Sequence, residues 1–337
     1  MTICNNRVIL YRQFENDFQF QFTRYYMKKT FTALCLILVL LLTAVSCSHN
    51  DSTKDEKLDV VVTAFPHYDF VRQIAGDNVN LTMLLKPGNE MHSYEPSPSD
   101  MAKIYCCDIF VYTGGESDSW AKSILDSADN KDMTVISFTD ICPATSHVHD
   151  QEDTCETDSH SHTYDEHVWT SPVNAIKICE HIYSVLCSKD IKNTEEYTQN
   201  YDSFYNELCE IDGLFRDAVA SGKRREIVVG DRFPFTHLVN EYGIEYTAAF
   251  PGCSSQTEPS AKTVAAISQK VKNEGIPVVF TVEFSNKKIA NTIVSGTDAQ
   301  ICTLHSCHNV TSDGFTSNIT YSELMRLNAE NIRKALS

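Results

Sequence analysis

The chain has 337 residues, and 45 Asp and Glu outnumber 28 Lys and Arg, so that its formal net charge at pH 7 is −17. Nucleic acid binding requires a basic face for the phosphates, and this charge balance therefore speaks against a nucleic acid partner. An acidic chain instead suits a protein that collects cations.

The N-terminal segment predicts an exported lipoprotein. Residues 27–46 have a basic start, an apolar run shorter than the ~20 residues that span a bilayer, and small residues at the end. This order is typical of a cleaved signal peptide, and Ala44-Val45-Ser46-Cys47 resembles a lipobox, in which Cys47 becomes the lipidated first residue. We expect residues 1–26 to be an upstream extension and the polar residues 47–57 to be a tether.

Strands alternate with helices in the region 58–190, which we interpret as an N-terminal lobe. Such alternation predicts a parallel sheet covered on both faces. The predicted strands are Leu58–Phe65, Val79–Leu85, Asp108–Tyr112 and Val135–Phe138. Three helices are predicted: one after the first strand that continues through Ile74, one that starts around Ser97–Asp100, and one from Ser171 to about Cys187.

One long amphipathic helix, Thr194–Ser221, is predicted within the linking segment 191–225. At ~1.5 Å per residue its length is ~42 Å, enough to join two lobes. The region 226–337 then repeats the α/β pattern as a C-terminal lobe, with predicted strands Glu226–Gly230, Ile244–Phe250, Val278–Val282 and Gln300–Leu304 and predicted helices Phe235–Tyr242, Ser260–Glu274, Asn286–Ser295 and Thr320–Leu336. The predicted fold class is α/β, with two lobes of parallel sheet joined by this helix and a ligand site in the cleft between them.

A His-rich loop, residues 147–166, lies inside the first lobe. Between His147 and His167 five histidines alternate with seven carboxylates, and His-x-His occurs twice. Such a tract lacks the apolar residues that build a core and is typical of metal binding, most often of zinc. A solvated acidic loop is the alternative, but the repeated His-x-His pairs favour metal binding.

Three histidines outside this loop fall at junctions between a strand and a helix. His92 follows the second strand, His167 precedes the helix that starts at Ser171, and His305 follows the last strand, with His308 three residues on. Loops at strand ends commonly carry function. Their shared placement favours a metal site over three separate structural histidines.

The segments around these histidines resemble a family, the ZnuA-like metal-binding lipoproteins of zinc and manganese ABC importers, over nearly all of residues 58–337. Its Pro-Gly-x-x-x-His-x-Tyr-x-Pro-Ser-Pro segment implies His92 as the first ligand, and its Asp-x-His-x-Trp segment implies His167 as the second. Glu258-Pro-Ser matches the start of a helix in the second lobe. The family also implies a His/Asp-rich loop before the second ligand in its zinc-importing members.

Two positions depart from the family pattern. The third ligand is usually a histidine, where this chain has Arg232, which cannot bind a cation; Asp231, His308 or a water is the expected replacement. The resemblance also implies a fourth ligand, an aspartate in the family, whose place His305 takes in this chain. The resulting set of His92, His167, His305 and Asp231 suits Zn²⁺ better than Mn²⁺, which prefers more carboxylate oxygen.

Ten of the 13 cysteines follow Cys47, and we expect most of them to be buried or free thiols. Proteins of the ZnuA-like kind can have a disulfide in the second lobe, which here would join Cys253 to Cys307. Two independent thiols are the alternative.

The resemblance implies a monomeric receptor that captures Zn²⁺ as cargo, is held at the extracytoplasmic face of the membrane by its lipid, and docks on an ABC permease with its ATPase. In this interpretation the chain is not an enzyme. A zinc-dependent hydrolase is the main alternative, since an open coordination position could hold a reactive water with Glu90 or Glu258 as base. A surface adhesin or zinc buffer is the third.

Overall fold

Four short strands in the first half of the chain form a parallel sheet in the order β2-β1-β3-β4. The computed structural model describes residues 57–146, 164–250, 252–253 and 259–337. In it the strands are β1 (Leu58–Val62), β2 (Val79–Met83), β3 (Ile109–Tyr112) and β4 (Thr134–Ser137). The run of valines in β1 is buried, as expected for a parallel strand covered on both faces.

Five helices belong to this half: α1 (Phe65–Ala75), α2 (Pro98–Cys106), α3 (Ser119–Ser127), α4 (Phe138–Ile141) and α5 (Pro172–Lys189). A proline starts both α2 and α5, where its missing N–H costs nothing, and the preceding serine caps each helix. The prediction omitted α3, which packs Ala121 and Ile124 on the outer face of the sheet. It also omitted the short antiparallel pair β5 (Thr145–Ser146) and β6 (Tyr164–Asp165), on either side of the His-rich loop.

A second parallel sheet follows, in the order β10-β9-β7-β8. Its elements are β7 (Glu226–Val229), α7 (Thr236–Tyr242), β8 (Glu245–Ala248), α8 (Ala261–Glu274), β9 (Val278–Thr281), α9 (Lys288–Val294), β10 (Gln300–Thr303), α10 (Ser312–Thr316) and α11 (Tyr321–Leu336). The short helix α10 was not predicted.

The long linking helix, α6, runs from Thr194 to Ala220 and is preceded by a 3-10 turn at Ile191–Asn193. Its 27 residues span ~40 Å. The buried face consists of Tyr197, Phe204, Leu208, Ile211, Phe215, Ala218 and Val219, which confirms the predicted amphipathic pattern. Tyr205, which the same pattern placed in the core, is 40% exposed.

One apolar core joins the two sheets. The inward side chains of β1 and β3 and those of β7 and β9 share a cluster with α1, α5, α6 and α11. Smaller clusters cover the outer faces, under α2 and α3 on the first sheet and under α8 and α9 on the second. The α/β architecture with two parallel sheets joined by a long helix is thus as predicted.

None of the described helices combines the length and the apolar character needed to cross a membrane. Several predictions concern residues outside the described ranges: the extension 1–26, the signal peptide 27–46, Cys47 with most of the tether, and positions 147–163 of the His-rich loop.

Candidate metal centre

His92 and His167 lie close together, as the sequence predicted for a shared site. His92 is in a 3-10 turn, Met91–Ser93, after β2, and His167 lies two residues after β6 and directly before a second 3-10 turn, Val168–Thr170. Their ring centroids are 5.4 Å apart. Two loops that follow different elements thus place two imidazoles beside each other.

The next neighbour is a cysteine. His92, His167 and Cys253 each offer one ligand atom, and these three atoms lie within 4.8 Å of one another. The Sγ of Cys253 is 3.0 Å from Nε2 of His92. The sequence had assigned Cys253 only to a possible disulfide.

That disulfide is not formed. Cys253 and Cys307 are both free thiols, as are the other seven cysteines of the described residues. Cys307 is buried and its thiol faces the carbonyl oxygen of His305 at 3.7 Å, whereas Cys253 faces His92. Each sulfur has a different neighbour, and the alternative of two independent thiols describes this structure.

The third imidazole beside the pair is that of His308, whose ring centroid is 6.5 Å from that of His92 and 6.4 Å from that of His167. Among the described residues the group of close ligand atoms contains neither His305, the residue predicted for this role, nor Asp231, and His308 lies beside that group without being a member of it. The backbone N–H of His305 donates a hydrogen bond to Oδ1 of Asn328 in α11, and the Asn328 amide donates one to the C=O of His305. This anchor leaves His308, three residues later, beside the other two rings.

Contacts between loops fix this arrangement. The side-chain amide of Asn309 donates to the carbonyl oxygens of Lys86 and Asn89, at 2.8 Å each, in the loop that carries His92. Trp169, of the Asp-x-His-x-Trp segment, donates its indole N–H to the carbonyl oxygen of Ser306 at 2.8 Å. The three histidine-bearing segments are therefore held to one another, although they are far apart in sequence.

A carboxylate faces Nδ1 of each of these two imidazoles, those of His92 and His167. Oδ1 of Asp165 accepts from Nδ1 of His167 at 2.8 Å, and Glu166 faces Nδ1 of His92 at 3.5 Å. A carboxylate oxygen can only accept, so Nδ1 of each ring bears a proton and Nε2 is the nitrogen that remains for a metal ion. Carboxylate–histidine pairs of this kind orient ligands in metal sites.

His308 reaches its carboxylate through a hydroxyl. Its Nδ1 is bonded to Oγ of Ser306, and that hydroxyl in turn donates to Oε1 of Glu283 at 2.6 Å. Within the described part of the chain, Nε2 of His308 and Nε2 of His167 are buried and have no hydrogen-bond partner. A buried polar atom is normally paired, so two such nitrogens on imidazoles whose centroids are 6.4 Å apart point to a ligand that the protein binds there. A cation that accepts imidazole nitrogen fits them.

His92 and His167 differ in their protonation. Burial, together with the neighbouring His167 and His308, lowers the pKa of His92 to about 3, so that its imidazole is neutral at pH 7. Burial alone would lower the pKa of His167, but Cys253 and the Asp165 carboxylate outweigh it and hold that pKa above its ordinary value. A metal ion must therefore displace a proton at His167.

Other predicted candidates lie outside the cluster. Oδ1 of Asp231 accepts from the backbone N–H of Arg232, while Oδ2 of Asp231 is buried without a partner. An oxygen of the Glu90 carboxylate is 3.9 Å from Nε2 of His308. Glu258 lies outside the described residues. Glu283 was missed, although it follows β9 as the histidines follow their own elements.

The fold and this cluster together define a class: an α/β binding protein with a candidate metal centre between two parallel sheets. Residues 60–335 match the model of the family described as ZnuA, zinc-uptake complex component A, periplasmic. The chain belongs to this family. The relatives reported below are named for zinc binding or zinc uptake, and the comparisons do not favour the hydrolase alternative.

Two relatives and one solved structure show the extent of the likeness. The zinc-binding lipoprotein AdcA of Streptococcus pneumoniae (strain ATCC BAA-255 / R6) is 30% identical over 91% of this chain and 61% of its own length. The high-affinity zinc uptake system protein ZnuA of Bacillus subtilis (strain 168) is 27% identical over 90% of this chain and 95% of its own length. The Zn(II)-bound ZnuA-like domain of Streptococcus pneumoniae AdcA superimposes with a TM-score of 0.68 at 27% identity, covering 83% of this chain and 99% of that domain. The chain thus spans about three fifths of AdcA.

Proposed function

We propose that this protein is an extracytoplasmic receptor that binds Zn²⁺ as cargo between its two sheets and delivers it to an ABC permease for import. The observation that carries the proposal is the convergence of His92, His167 and His308, with two buried Nε2 atoms that have no hydrogen-bond partner among the residues the structure describes. Neutral imidazole is the commonest protein ligand of zinc. The zinc-binding names of AdcA and of the Bacillus subtilis ZnuA support the same cargo.

The proposal includes the membrane context. Cys47 is the lipidated residue that holds the receptor at the membrane, residues 58–190 and 226–337 are its two lobes, and the receptor acts as a monomer that docks on a permease with its ATPase. The lipoprotein name of AdcA and the zinc-uptake name of the family support this part. The His-rich loop 147–166 is an accessory that collects zinc loosely and passes it to the centre.

The test is calorimetric titration of the full-length protein with Zn²⁺ and with Mn²⁺. We compare the wild type with His92→Ala, with His308→Ala and with deletion of residues 147–162. One tight zinc site that is lost in both histidine variants but kept in the loop deletion is the expected result. His305→Ala is the matched control, because it removes a neighbouring half-buried imidazole from a residue whose backbone is hydrogen-bonded to Asn328.

Tight binding that disappears only with the loop would refute the cleft receptor and favour a zinc buffer. If His305→Ala abolishes tight binding and His308→Ala does not, the ligand assignment to His308 is wrong while the receptor function stands.

A further inference from the structure

Cys253 occupies a position that neither a disulfide nor a structural role explains. It is a free thiol in the loop after β8, and its sulfur is 3.0 Å from Nε2 of His92. The nitrogen that it faces carries the lone pair that a metal ion would use. His167 belongs to the same group of ligand atoms, and its buried Nε2 has no hydrogen-bond partner among the described residues.

The distances suit a sulfur ligand. In a zinc tetrahedron with Zn–N of ~2.0 Å and Zn–S of ~2.3 Å, a nitrogen and a sulfur ligand stand ~3.5 Å apart. The separation between Nε2 of His92 and Sγ of Cys253 is 3.0 Å, and all three ligand atoms of the group lie within 4.8 Å of one another. Small side-chain shifts would bring this set around an ion.

We propose that Cys253 binds the cargo ion as a thiolate, together with His92, His167 and His308, and that this sulfur makes the centre selective for Zn²⁺ over Mn²⁺. The inference rests on the proposed function and adds the ligand that determines metal preference. As the Zn–S bond forms, the thiol proton leaves to solvent.

The charge and the chemical softness of the ligands explain the expected preference for Zn²⁺ over Mn²⁺. Three neutral imidazoles bring no negative charge to a dication, and the cationic Arg232 acts on His92 from nearby. In the group of possible ligands only Cys253 can supply an anionic donor. Thiolates select soft or borderline ions such as Zn²⁺, whereas Mn²⁺ favours carboxylate, carbonyl and water oxygens.

X-ray absorption at the zinc edge tests the ligand directly, without any substitution in the centre. The full-length protein is loaded with one equivalent of Zn²⁺ in the presence of a phosphine reductant. The wild type should show a sulfur shell at ~2.3 Å beside nitrogen at ~2.0 Å. Cys253→Ser should lose this shell, and Cys155→Ser, which removes the thiol of the His-rich loop, should keep it.

Affinity measurements test the selectivity. Loss of a residue behind a ligand already costs about 10–100-fold in metal affinity, so Cys253→Ser should weaken zinc binding by more than about 100-fold. Cys253→Asp replaces sulfur by oxygen at similar size and should lower the ratio of zinc to manganese affinity by more than about tenfold. Circular dichroism of the metal-free variants checks that they fold.

The proposal is overturned if the wild type shows only nitrogen and oxygen around zinc, or if the sulfur shell persists in Cys253→Ser and disappears in Cys155→Ser. In both cases the receptor function stands as long as His92→Ala still abolishes tight zinc binding. A wild type without tight zinc binding would instead refute the proposed function itself.

Discussion

His67 should make folding stability fall as the pH is lowered. Its side chain is fully buried in α1, where Nδ1 accepts from the backbone N–H of Ala64 at 3.2 Å. Nε2 meets the hydroxyl of Thr113 at 3.3 Å. Burial lowers the pKa of His67 to about 3, from 6.5 for the exposed side chain.

The sign and size follow from proton linkage. Because the folded pKa lies below the unfolded one, the unfolded chain binds the extra proton, and the stability contribution is complete above pH 6.5 and is lost as the pH falls toward 3. Each pH unit between these limits costs ~1.4 kcal/mol, so lowering the pH from 7.5 to 5.0 removes ~2 kcal/mol through this one residue.

The assay is urea unfolding at pH 7.5 and pH 5.0, followed by circular dichroism, with a chelator present so that metal binding adds nothing. A His67→Gln variant retains an acceptor for the Ala64 N–H but does not titrate. The wild type should lose ~2 kcal/mol more than the variant over this pH interval, since the remaining groups titrate alike in both. Equal losses in the two proteins, within about 0.5 kcal/mol, would refute the reasoning.

Three further predictions concern the centre and the core. Asp165→Asn should weaken zinc binding about 10–100-fold in a calorimetric titration. Oδ2 of Asp165 accepts from the backbone N–H of Thr236 at 3.0 Å, and an amide nitrogen in its place cannot accept, so the side chain would lose the position from which it orients His167. Gly115→Ala should also weaken zinc binding, since the new Cβ would lie 1.8 Å from Oε2 of Glu166 and force that carboxylate away from its imidazole. Phe215→Ala should lower the free energy of unfolding by about 3–5 kcal/mol in urea, because it leaves a cavity in the shared core.

Each of these has a control. Gly213→Ala adds a methyl group in open space on α6 and should leave zinc affinity unchanged. Zinc affinity of Gly115→Ala equal to that of the wild type would show that Glu166 does not position the ligand. Asp165→Glu keeps the negative charge but lengthens the side chain, and so tests whether the charge alone maintains zinc affinity. Full zinc affinity in Asp165→Asn would mean that the carboxylate is dispensable. A Phe215→Ala loss below about 1 kcal/mol would contradict close packing at that position.

The two sheets and the long helix could be predicted because their signals are local. The valines of β1 and the 3.6-residue spacing along α6 depend on neighbouring residues alone. Tyr205 is the exception on that helix: it fits the spacing but is 40% exposed, since burial depends on which partner packs there. The helix α3 was missed because only contact with the outer face of the sheet makes its short apolar pattern meaningful.

By itself the sequence determined the α/β class, the linking helix and the positions of His92 and His167, because each follows from periodicity or from a contiguous motif. Only the tertiary structure decided which residues complete the cluster. His305 and His308 look equivalent in the chain, but Asn328 holds the first through its backbone while Ser306 and Glu283 orient the second. Cys253 likewise gives no local signal as a ligand. Its place depends on contacts between residues more than 150 positions apart, which no short window of sequence contains.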